Sequence, residues 1–108
     1  MSKLDHPNII KVIEIFNWER NNCIVMELCE GPNLFFLQDS DEIMKMSSSG
    51  KKHLIKVIFR QILKALNYMK EKGIIYRNLH AKNILLLKKD IFPIENNLVK
   101  LLNFGKAF

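Results

Sequence analysis

Near the C-terminus, two basic side chains, an imidazole and two amides fall within one run, Tyr76-Arg77-Asn78-Leu79-His80-Ala81-Lys82-Asn83, and about twenty residues later a third amide opens Asn103-Phe104-Gly105. Neither run contains a carboxylate. An amide cannot act as a base at neutral pH, and its uncharged oxygen is a poorer ligand for a hard cation than a carboxylate. His80 is only partly charged near pH 7 and is a weaker electrostatic partner than a lysine. Phosphoryl transfer needs a placed acceptor hydroxyl, metal ions across the phosphates and positive charge on the moving group.

The flanking residues sharpen this. Ile84-Leu85-Leu86-Leu87 follows Asn83 directly and Leu98-Val99-Lys100-Leu101 leads into Asn103, so each run is set against a strand-like segment. A lone N-F-G would mean nothing. At this spacing the pair resembles the catalytic loop H-R-D-L-x-x-x-N and the D-F-G segment of protein kinases. Upstream, Leu4-Asp5-His6-Pro7-Asn8-Ile9-Ile10 and Ile24-Val25-Met26-Glu27-Leu28-Cys29-Glu30-Gly31 resemble the helix-C exit and hinge strand of Ser/Thr kinases, nearest to calcium-dependent protein kinases. The likeness covers almost all of the chain. It implies an α+β fold forming part of a kinase domain, with residues 1–30 as small-lobe strands and hinge and residues 31–108 as the start of the helical large lobe.

The same resemblance implies roles. Asn78 stands at the catalytic base position, where a positioned base ordinarily contributes about 10²–10⁴-fold. His80 stands where a lysine steadies the moving phosphate, and Arg77 matches the loop arginine that pairs with an activation-loop phosphate. Asn83 and Asn103 occupy the two metal-ligand positions, the second weakened by its missing charge. Met26 matches the gatekeeper, Glu27 and Cys29 the hinge residues whose backbone holds adenine, and Leu85 the residue beneath the ring. Asn33 replaces the acidic residue expected after the hinge and Lys82 the one before the loop asparagine, a reversal that works against basic peptides. Tyr76 and Phe104, with Val12, match apolar side chains that tie two lobes together, although each would serve as core in any fold. ATP and Mg²⁺ are the implied cofactors, with weak or absent binding expected.

These residues require positioning elements. Ile9 to Phe16 and Cys23 to Leu28 predict two antiparallel strands around a polar turn, Asn17 to Asn22. Gly31-Pro32 ends the second and opens a helical stretch from Asn33 to about Met46; Ser47-Ser48-Ser49-Gly50 predicts a linker. From Lys51 to Lys72, Ile55, Ile58, Phe59, Ile62, Leu63, Leu66 and Met69 recur at helical spacing and predict one broad buried face. Ser48 or Ser49 is placed to cap this helix and Gly73 to close it. Strands at Ile84–Leu87 and Leu98–Leu101 then flank a polar hairpin through Asp90-Ile91-Phe92-Pro93. His6 and His53 read as a structural loop histidine and a solvated helix-start residue.

With 108 residues the chain forms at most one domain with one modest core. Seventeen Lys and Arg against eleven Asp and Glu give a formal charge of +6, spread along the chain. The charge comes without a nucleic-acid motif, so no specific nucleic-acid partner is expected. Cys23 and Cys29 make neither a metal pair nor a redox motif. The sequence has no apolar run of bilayer length, so no membrane role and an intracellular location, cytoplasmic or nuclear, are expected. The Gly-rich loop, the phosphate-binding lysine and its glutamate, and the later large-lobe motifs are not found within these residues, so the isolated chain is expected to be marginally stable or aggregation-prone. Three functions fit: a kinase-like domain without phosphotransferase activity that acts as scaffold, regulator or weak ATP binder; part of a Ser/Thr kinase that is active when complete; or a non-enzymatic module docking on a protein partner, a kinase or a substrate.

Overall fold

The computed structural model describes residues 4–75 and 79–102. Strands β1 (Val12–Trp18) and β2 (Asn21–Met26) form an antiparallel ribbon in which Trp18 faces Asn21 and Val12 faces Met26. Its turn is tighter than the sequence predicts. Only Glu19 and Arg20 turn the chain, both at positive φ (47° and 71°), the backbone a two-residue hairpin needs to match strand twist. The expected linker gives way likewise: Ser47 Oγ accepts the Gly50 N–H at 3.1 Å, so α3 runs from Ser48 to Glu71, three residues earlier than predicted, with Ser47 as its cap. The stretch after Asn33 is two four-residue helices, α1 (Leu34–Leu37) and α2 (Asp41–Met44), broken where Ser40 caps the second.

Helix α3 closes as predicted. Gly73 has φ 78°, its N–H reaches Lys70 O at 3.0 Å and the Ile74 N–H reaches Met69 O at 2.8 Å, so the last turn's carbonyls are satisfied. The buried stripe of α3 is Leu54, Ile58, Ile62, Ala65 and Met69, whereas Ile55, Phe59 and Leu63 are 53%, 56% and 60% exposed. The core face is therefore rotated from the expected one, and half of the apolar sector faces outward.

That stripe packs on a second antiparallel ribbon, β3 (Ile84–Leu86) against β4 (Val99–Leu101), with Ile91, Ile94 and Leu37 completing the core. Ile9 and Ile10 are not strand residues of the first ribbon; they lie buried along the outer edge of β4, where Ile10 N–H donates to Leu101 O and Leu101 N–H to Asn8 O. On the other edge, Glu30 and Gly31 N–H donate to Leu87 and Leu86 O, and Leu86 N–H to Pro32 O. The chain thus enters and leaves the β1–β2 ribbon along opposite edges of β3–β4, and both edges are covered. A Cβ on Gly31 would come within 2.5 Å of Leu86 O, so only glycine allows this approach.

Two buried amides finish the frame. Asn8 donates through Nδ2 to Gln61 Oε1 (2.7 Å) and Val99 O (2.9 Å), while Gln61 Oε1 also accepts the Val99 N–H. Asn97, 1% exposed, accepts the Lys88 N–H and donates to Lys88 and Asp90 carbonyls, pinning the loop before β4. The predicted α+β class holds.

Candidate active site

The end of the linker, Glu30 to Pro32, runs along β3, and of the residues expected to meet a nucleotide Asn33 and Leu85 are brought together there. Met26 ends β2 opposite Val12, and Leu85, half-buried at the centre of β3, bridges to Asn33 on one side and pairs with Lys100 on the other. Cys29 is a half-buried free thiol. Burial, aided by the Glu27 carboxylate and partly opposed by Lys100, pushes it above the ordinary thiol range, so it stays protonated at neutral pH. A raised thiol pKa works against nucleophilic reactivity.

Two side chains are committed elsewhere. Asn33 Oδ1 accepts the Phe36 N–H at 2.9 Å as the cap of α1, so this oxygen is turned to the helix and away from any ligand. His80 Nδ1 accepts the Lys82 N–H at 3.1 Å and caps the 3-10 turn Ala81–Asn83. That bond holds the imidazole against the loop backbone. Lys82 itself rests with its ammonium 4.8 Å from the Phe35 ring centre.

Asn83 donates its N–H to His80 O, and its carbonyl accepts the Leu102 N–H at 2.8 Å. That bond sets the residue preceding Asn103 against the end of the loop. Arg77, Asn78 and Asn103, with Tyr76 and Phe104, lie outside the described residues. Of the two expected metal positions, Asn83 keeps the amide that the resemblance calls for, and Asn103 offers an amide in place of a carboxylate, a weaker donor for a hard cation. Among the described residues no three His, Cys, Asp or Glu side chains gather at a metal-binding distance.

A cavity of about 500 Å³ lies between α1, α3 and the loop, lined by Leu34, Leu37, Leu54, Ile58, Leu79, His80 and Ile84 among others. Of the predicted site residues that lie among the described ones, only His80 lines it. Conversely, two polar residues that sequence reasoning passes over are structural hubs: Gln61, described above, and Lys100, whose Nζ lies 2.9 Å from Glu27 Oε1. A lysine within an apolar strand and a glutamine on an apolar helix face are the signals that could have revealed them.

A family model described as the protein kinase domain matches residues 1–108. The chain is 35% identical over 107 residues to calcium-dependent protein kinase 3 of Plasmodium yoelii yoelii, covering 99% of this chain and 18% of that protein. It is 37% identical over 108 residues to human serine/threonine-protein kinase Nek11, covering 97% and 15%, and 30% identical over 101 residues to mouse sperm motility kinase 3A, covering 94% and 18%. The chain therefore spans less than a fifth of the length of these relatives. With the loop, the linker and both ribbons in the order its motifs require, this chain belongs to the protein kinase domain family.

Proposed function

We propose that these residues form a kinase-like domain that holds an adenine nucleotide weakly, without metal assistance, and does not transfer its phosphate. The observation that carries this is the pair of amides, Asn78 and Asn103, at positions where the family's chemistry needs carboxylates. The capping bonds support it, since they commit the Asn33 oxygen and the His80 Nδ1 to the local backbone. In the cell such a domain acts as scaffold or regulator of a protein partner in the cytoplasm or nucleus.

The test is a titration of the chain with ATP, with Mg²⁺ and again with EDTA. The expected result is weak binding of equal strength in both, and no phosphate on a mixed peptide library. Phosphorylation of any peptide by the unsubstituted chain, or binding that collapses on adding EDTA, would overturn the proposal. In the double substitution Asn78→Asp and Asn103→Asp, binding becomes Mg²⁺-dependent.

A second reading is a docking module, and the outward-facing Ile55, Phe59 and Leu63 favour it. Capture of a purified partner kinase that is lost on substituting Phe59, with no response to ATP, would select it.

A further inference from the structure

Lys100 lies between two fully buried residues, Val99 and Leu101, and its own side chain is only 8% exposed. An ammonium in such a place needs an anion, and Glu27 Oε1 supplies it at 2.9 Å. The same carboxylate has a second task. Its Oε2 accepts the Lys11 N–H at 2.9 Å, while the Glu27 N–H donates to Lys11 O at 2.9 Å. One carboxylate thus joins three segments: β4, the chain entering β1 and the chain leaving β2. Lys100 is the cross-strand partner of Leu85, and directly paired residues project from the same face of an antiparallel ribbon. The Lys100 side chain of the ion pair therefore projects from the same face of the ribbon as Leu85.

We propose that Lys100 is a positioning residue, which through Glu27 fixes the linker 27–31 and ties it to β4, the strand that leads into Asn103-Phe104-Gly105. Its use in holding a base rests on the proposed nucleotide site; the coupling itself does not. The two partners are not equivalent. Without Lys100, Glu27 keeps its Lys11 bond and, at 23% exposure, a path to water. Without Glu27, Lys100 is left buried beside no paired anion.

The experiment is amide hydrogen exchange on the full chain in the absence of nucleotide, comparing wild type, Lys100→Arg, Lys100→Met and the double variant Lys100→Met with Glu27→Leu. In Lys100→Met the amides of Glu30 and Gly31, which bond the edge of β3, are expected to exchange about tenfold faster, while those of Ile62 and Met69 in α3 stay within about twofold of wild type. Lys100→Arg keeps the charge and the wild-type pattern. Should Lys100→Met fail to fold, the double variant leaves no buried charge and is read in the same way. Unchanged linker exchange, or a uniform rise across the chain, would make Lys100 a stability residue only and overturn the proposal. Because no nucleotide enters the measurement, a wild-type chain that binds none counts against the proposed function and not against this coupling.

Discussion

His6 Nδ1 accepts the Asn8 N–H at 3.0 Å, and its ring lies 5.0 Å from that of Tyr68. Burial, with Lys100 and Lys64 nearby and Asp5 opposing them, holds its pKa below the ordinary value of 6.5. The sign follows from linkage: the unfolded chain takes up a proton near pH 6.5 that the folded chain refuses, so stability is full above that pH and falls as pH drops toward the folded value. Protonation at Nδ1 would also remove the acceptor for Asn8. Thermal unfolding of the chain is therefore expected to shift to lower temperature between pH 7 and pH 5, with a shallower slope in His6→Asn. Equal slopes in both chains would rule out His6 as the source.

The β1–β2 ribbon depends on a turn whose two residues both sit in the left-handed region, where a side chain costs about 1–2 kcal/mol per residue. Replacing Glu19 by Asn and Arg20 by Gly gives the dipeptide this turn prefers and is expected to stabilise the ribbon by about 1–2 kcal/mol. Slower amide exchange at Trp18 and Asn21 would report it, and no change there would mean the turn conformation is wrong. Sequence reveals the ribbon through its alternation but not this turn, because a polar six-residue segment fits several hairpin loops. Helix α3 is legible from its period and from Gly73. Its facing is not, because Ile55, Phe59 and Leu63 are as apolar as Ile58, Ile62 and Met69, and only the docking of β4 chooses between them. Three consecutive serines hide the capping residue for a similar reason. At the site, motif spacing anticipates that Asn83 ends the loop and Leu85 sits in the strand after it, but the capping duties of Asn33 and His80 depend on local backbone that motifs do not encode.

At the scale of the whole molecule, the Cα radius of gyration is 14.9 Å, against about 13 Å for a compact chain of this length. The excess reflects a core confined to α3, β3 and β4 with the segments along their edges, while the β1–β2 ribbon projects with Ile13 and Trp18 more than 60% exposed. A formal charge of +6 opposes self-association but does not cover apolar surface. On α3 the outward stripe Ile55, Phe59 and Leu63 runs beside Lys52, Lys56, Arg60 and Lys64, so the surface is apolar and basic at once. If these three side chains are not part of the core, replacing Phe59 and Leu63 by Gln changes unfolding free energy by no more than about 0.5 kcal/mol per site, as for ordinary surface positions. The same substitutions keep the net charge and remove apolar contact area, so light scattering at high protein concentration is expected to show less association than wild type. A stability loss of about 2 kcal/mol or more per site would instead place both side chains in a packed interior, and the outward half of the α3 face would have to be reassigned to the core.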